Sequence, residues 1–249
     1  ATAHRDAVQV QAALGVLGSV VREPHALVVD GARDRVRVVR HHPFHRHVAA
    51  GSDASTREDG PMSTPVPGGS PDAADFAYDE MAYFAENCAE YGLDLPADLV
   101  VRRVHQELPD GRTLSGLRWG DGPPSVVLVH GGAQNAHTWD TVALALWPVP
   151  VLAVDLPGHG HSSWRADGDY GPRNNADDVA VMLREMAPRA ELLVGMSLGG
   201  LTVTSVAARH PDVVRRLVVV DVTPGVTRDK AADVHAFIEG PQTFPTVAD

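Results

Sequence analysis

Most of what would tie this chain to an oxidising compartment, a membrane or a nucleic acid is scarce in it. It has one cysteine, Cys88, so a disulfide within the chain is excluded and a reducing, cytoplasmic compartment fits best. It has one lysine, Lys230; arginine supplies the other 20 of its 21 basic residues, against 32 acids, for a net charge of −11. No basic cluster is positioned to grip nucleic acid or an anionic membrane, so neither is expected as a partner. No apolar run approaches the roughly 20 residues needed to span a bilayer. The nearest thing to a signal segment, residues 8–21, lacks a basic cluster before it and a cleavage site after it, and reads as an amphipathic helix. No G-x-G-x-x-G appears, so no dinucleotide cofactor is expected. "HHPFHRH" (41–47) has four histidines but no cysteine or carboxylate at ligand spacing; it reads as a solvated loop, not a metal site.

What is present is an ordinary globular composition, 44% apolar and 21% charged, in a chain long enough to bury a sizeable core. Residues 1–61 stand apart, with 8 arginines against 7 acids and 6 of the 13 histidines. They read as an N-terminal extension upstream of a natural start at Met62. A nucleic-acid-contacting arm is the weaker alternative, because acids interrupt the arginines. Residues 62–97 read as a linker followed by a helix, with Ala77, Met81, Phe84, Cys88 and Tyr91 on one face and Gly92 as the stop. Residues 98–230 form the core domain, and 231–249 the start of a further, cap-like region.

The core begins with a hairpin: "LVVRRVHQEL" and "RTLSGLRWG" flank Pro109-Asp110-Gly111, a favoured turn. Four short runs rich in β-branched residues follow, at 125–130, 149–155, 191–196 and 216–222. Continuous apolarity implies burial on both faces, as in a parallel sheet covered by helices. Helices are predicted between them, one carrying Val179, Met182, Leu183 and Met186 on a single face and one running from Ser197 to the break at Pro211. Alternating strands and helices predict a doubly wound, mostly parallel α/β sheet.

Ligands bind such sheets beyond the carboxyl ends of the strands. Three loops there carry chemistry. His130 runs into Gly131-Gly132-Ala133; Asp155 runs into "LPGHGHSSW"; Gly195-Met196-Ser197-Leu198-Gly199 satisfies G-x-S-x-G between a strand and a helix. Glycine two positions either side lets the serine occupy a tight, strained turn. The helix behind it aims its N-terminal N–H groups at developing negative charge. The bland alternative is that Ser197 merely caps that helix.

"VVLVHGG", "VLAVDLPGHGHS", "GMSLGG" and "LVVVDVTPG" together resemble successive signature segments of the α/β-hydrolase superfamily, over residues 99–230. The resemblance implies Ser197 as nucleophile. It implies the N–H groups of Leu198 and Gly132 as oxyanion donors, with Ala133 the alternative to Gly132. It gives His130, Gly131, Gly195 and Gly199 supporting roles, and makes His130 a loop support, not the general base. Asp221 is either the acid of the triad or a loop cap. Asp155, His159 and His161 organise their own loop, and His137 faces the pocket. His235 lies in a cap helix, the wrong place for the base. The catalytic histidine and the family's seventh and eighth strands are therefore expected outside this chain, with the run 216–222 left as a bare sheet edge. The implied activity is cofactor-free hydrolysis of an ester-like bond in a small molecule. Alternatives are a C–C bond hydrolase or lactonase on the same serine, or an inactive hydrolase fold that binds ligands. Dehalogenase and epoxide-hydrolase relatives carry aspartate at the serine's position and are disfavoured.

Overall fold

A computed structural model describes residues 26–30, 35–39 and 79–222. The histidine-rich 41–47 segment, Met62, Ala77 and His235 lie outside the described residues. The hairpin strands form as expected: β3 (Val101–Glu107) and β4 (Thr113–Trp119) pair antiparallel. Their three-residue turn closes with Leu108 N–H donating to the Arg112 carbonyl at 2.7 Å, and Gly111 takes φ +82°. Only glycine adopts that backbone without strain.

The four apolar runs become β5 (Val126–Val129), β6 (Val151–Val154), β7 (Leu192–Met196) and β8 (Arg216–Val220). They lie parallel in the order β8-β7-β5-β6. The sheet as a whole is mixed, because β4 joins β6 antiparallel. Alternate residues of each strand feed two apolar clusters. Leu128, Ala153, Val194 and Val218 face one, and Val127, Leu152, Leu193 and Leu217 face the other. Two buried faces are why these strands read as unbroken apolar runs.

Helices α1 (Phe84–Tyr91) and α2 (Asp140–Leu146) contribute to the first cluster; α3 (Pro172–Met186) and α4 (Leu198–Arg209) to the second. Phe84 and Cys88 are buried, Phe84 lying 4.8 Å from the Trp119 ring, and Gly92 ends α1 in the left-handed conformation. Tyr91 departs from the expected face and is exposed, because α1 stops at that residue. In α3, Val179, Met182 and Leu183 are buried as predicted; the helix starts early, at Pro172, whose missing N–H costs nothing in the first turn.

One expectation is corrected. The outer edge of β8 is not bare. Strand β1 (Ala26–Asp30) pairs with it antiparallel and β2 (Arg35–Val39) pairs with β1, giving an eight-stranded sheet, β2-β1-β8-β7-β5-β6-β4-β3. The physical reason is the unsatisfied backbone of an edge strand, which a nearby β-branched segment can pair. Among the described residues no helix is long and apolar enough to cross a membrane.

Candidate active site

The three loops predicted to carry chemistry meet at the carboxyl ends of β5, β6 and β7. Ser197 joins β7 to α4 at φ +51°, ψ −117°. It holds the N-cap position of α4, yet its hydroxyl makes no capping hydrogen bond. N-cap residues normally have extended backbone and bond the helix amides, so capping does not account for this serine. Packing explains the glycines around it. A Cβ on Gly195 would fall on the Gly199 carbonyl, and one on Gly199 on the Val129 and His130 carbonyls. The helix start is thus pressed against the end of β5. Gly131 lies directly against Ser197, a Cβ there standing 3.3 Å from the serine Cβ.

Strain concentrates here. Among the described residues, three that are not glycine have positive φ: Ala133 (+58°), Ser197 (+51°) and Asp221 (+52°). Each sits on a different strand-end loop at this edge of the sheet. Such residues cluster at functional sites, where the surrounding structure enforces them. Asp221 follows β8 directly, and the Val220 carbonyl before it accepts the Ser197 N–H at 3.0 Å. The Asp221 side chain is exposed and accepts no hydrogen bond from the described residues, so the loop-cap role finds no partner there.

The glycine loop has an ordered pattern of amides. Gly131 N–H donates to Gln134 Oε1 at 2.8 Å and Ala133 N–H to His159 Nε2 at 3.2 Å. Gly132 N–H, between them, has no partner among the described residues. A Cβ on Gly132 would stand 3.9 Å from Leu198 Cδ2, so Gly132 and the first residue of α4 face each other across the site. Of the two sequence candidates on this loop, Gly132 is the one with its amide available; Ala133 spends its own on His159.

His130 is fully buried, and burial pushes its pKa down to about 4. Its Nδ1 lies 2.6 Å from the Gly131 carbonyl, and its Nε2 accepts the Leu156 N–H at 3.0 Å. Both ring nitrogens are therefore engaged within the two loops.

A buried polar network lies beneath the loops. Asp155 accepts the Ala136 N–H (2.6 Å), the Arg103 guanidinium (2.7 Å) and the His161 N–H (3.3 Å). Arg103 also grips Glu80 through two nitrogens and Ser115 Oγ at 2.7 Å, and it holds the Glu80 carboxyl below its usual range. Asp155 therefore organises the glycine loop as well as its own. His137 lies with Nδ1 2.8 Å from Asp140 and Nε2 3.4 Å from Glu80; the bond to Asp140 raises its pKa. It is held in this network, where the sequence suggested the pocket. Arg103, Glu80 and Gln134 carried no local signal: Arg103 and Asp155 are 52 positions apart and meet only through the sheet.

Comparison with known proteins agrees with this geometry. Residues 124–240 match the family model of the alpha/beta hydrolase fold. The chain is similar to esterase Rv0045c of Mycobacterium tuberculosis, 48% identical over 175 residues, covering 68% of this chain and 56% of the esterase. A solved structure of that esterase superposes with a TM-score of 0.59 at 47% identity, over 69% of this chain and 59% of that one. A pimeloyl-[acyl-carrier protein] methyl ester esterase of Vibrio vulnificus is 38% identical over 112 residues, 43% of this chain and 41% of that protein. The chain thus spans about half the length of the curated relatives it matches. With four parallel strands at the centre of the sheet, a glycine-flanked serine turn and these matches in agreement, the chain belongs to the α/β-hydrolase superfamily.

Proposed function

We propose that the protein is a serine hydrolase that cleaves an ester-like bond of a small molecule through an acyl-enzyme. The observation that carries this is Ser197, in a strained turn, with a hydroxyl its helix does not use and the Gly132 amide opposite. Ser197 Oγ attacks the substrate carbonyl carbon. The N–H groups of Gly132 and Leu198 take the developing oxyanion, with the α4 dipole behind them. The leaving alcohol departs with a proton. Water then attacks the acyl carbon and releases the acid, restoring the serine. Asp221, on the strand end beside Ser197, is our candidate for the carboxylate that orients the base.

The base is a histidine outside residues 79–222. Within them, His130 and His159 have both ring nitrogens engaged, His137 is held by Asp140 and Glu80, His161 lies 3.7 Å from Glu80, His210 bonds Asp177 beyond the far end of α4, and His105 lies on β3 at the opposite edge of the sheet. Two of the matched relatives are named esterases, which favours an ester over a C–C bond or lactone.

The test is Ser197→Ala in the full-length protein. Turnover of a short-chain p-nitrophenyl ester should fall by about 10⁴ to 10⁶, and labelling by a fluorophosphonate should vanish. Undiminished turnover by the alanine variant would refute the assignment.

A further inference from the structure

We propose that His159 is a positioning residue for the oxyanion hole: its Nε2 holds the Ala133 N–H, and this aims the Gly132 N–H at the substrate carbonyl oxygen. The inference rests on the serine-hydrolase function proposed above and extends it to a residue on a loop that does not contact the nucleophile turn in sequence.

The tautomer of His159 follows from its partners. Its Nδ1 stands 3.0 Å from the Pro157 carbonyl oxygen, which can only accept, so Nδ1 carries the hydrogen. Nε2 is then a lone pair, and the Ala133 N–H meets it at 3.2 Å. His130 is built the same way, with Nδ1 donating to the Gly131 carbonyl and Nε2 accepting the Leu156 N–H. The two rings are 5.1 Å apart. Each loop thus sends one histidine to accept an amide of the other: His130 reaches from the glycine loop to Leu156, and His159 reaches from the Leu156 loop to Ala133. The loops are laced reciprocally.

The glycine loop needs that tie. Gly132 has no side chain with which to anchor itself. Ala133 holds a left-handed φ of +58°, a conformation that costs about 1 kcal/mol or more without glycine and that only surrounding contacts can enforce. The peptide plane that carries the Gly132 N–H is held through the Gly131 carbonyl by His130 Nδ1, and the plane after Gly132 is held through the Ala133 N–H by His159. With both flanking planes held, neither rotates freely, and the Gly132 N–H keeps one direction. His159 is itself placed by its turn: His159 N–H donates to the Leu156 carbonyl at 2.9 Å and Gly158 N–H to the Ser163 carbonyl at 3.0 Å.

Two variants of equal polarity and different reach test this in the full-length protein. His159→Gln places an amide oxygen where Nε2 stands and can accept the Ala133 N–H. His159→Asn ends at the level of Nδ1 and cannot reach it. Loss of a whole oxyanion donor costs about 10² to 10³ in kcat, and a loosened one should cost less. With a p-nitrophenyl ester, His159→Asn should lower kcat by about 10- to 100-fold with KM within about threefold. Inhibition by a trifluoromethyl ketone, whose adduct oxygen occupies the hole, should weaken by the same factor. His159→Gln should restore most of both. Melting temperatures of the two variants provide the folding control. The proposal is overturned if the two variants behave alike, both near wild type or both equally impaired, at matched melting temperatures. Ester turnover that survives Ser197→Ala would show separately that the serine mechanism is wrong, and would remove the oxyanion and this proposal with it.

Discussion

At the scale of single residues, His130 shows how burial becomes a pH dependence. Its pKa of about 4 in the folded protein lies below the ordinary 6.5. The unfolded chain therefore binds a proton between these values that the folded chain refuses. The sign is that of a depressed pKa: the contribution is complete above about pH 6.5 and is lost as pH falls towards 4. At 1.36 kcal/mol per unit it is on the order of 3 kcal/mol. Urea denaturation of wild type and His130→Gln at pH 7 and pH 4.5 should show the wild type losing more stability than the variant on acidification. Parallel losses would contradict the assignment. Some residues at this scale were legible in the sequence. The turn at Ser197 and the bend at Gly131-Gly132 announce themselves because their geometry depends on glycines one to three positions away. Arg103, Glu80 and the partners of His159 do not, since their roles exist only once the sheet brings distant loops together.

At the scale of elements, the unit to consider is β7, its turn and α4. Gly195 and Gly199 let the helix start press on the carbonyls of Val129 and His130, which brings Leu198 opposite Gly132. Gly199→Ala would push α4 off the end of β5. Overpacking of this kind costs about 1–3 kcal/mol, and the displaced Leu198 amide should also lower kcat. An alanine variant with native melting temperature and native turnover would count against this account of the elbow. The four central strands were legible because burial on both faces writes an unbroken apolar run, and their ends fell within two residues of prediction. The hairpin turn was legible through Asp110-Gly111. The β1–β2 pair was not singled out, although "ALVVD" and "RVRVV" are short β-branched runs, because the arginine-rich composition around them obscured the alternation.

At the scale of the whole molecule, that pair determines where the sheet ends. Strand β1 covers the outer edge of β8 along five residue pairs, from Ala26 opposite Val220 to Asp30 opposite Arg216. Removing residues 1–40 from this 249-residue chain would uncover the edge of an apolar strand, a template for pairing between molecules. The shortened chain should form concentration-dependent aggregates by light scattering or sedimentation under conditions where the parent does not. Equal dispersity of the two would mean that the hairpin contributes nothing to solubility. The doubly wound class was legible from the alternation of strands and helices, but the composition of the sheet's outer edge was not, because strand order is a property of space and leaves no local trace.

The left-handed backbone at Ala133, Ser197 and Asp221 has a consequence for the thermodynamics of the whole chain. Residues held in such conformations cost on the order of 1–3 kcal/mol each, and a domain's entire margin against unfolding is about 5–15 kcal/mol. Three together consume a sizeable share of that margin at one rim of the sheet. The two apolar clusters must therefore supply more cohesion than the fold alone would need, and the surplus is what keeps the rim bent. Selection for heat resistance alone would relax these three residues first, and the chain would become sturdier as that rim lost its bent geometry.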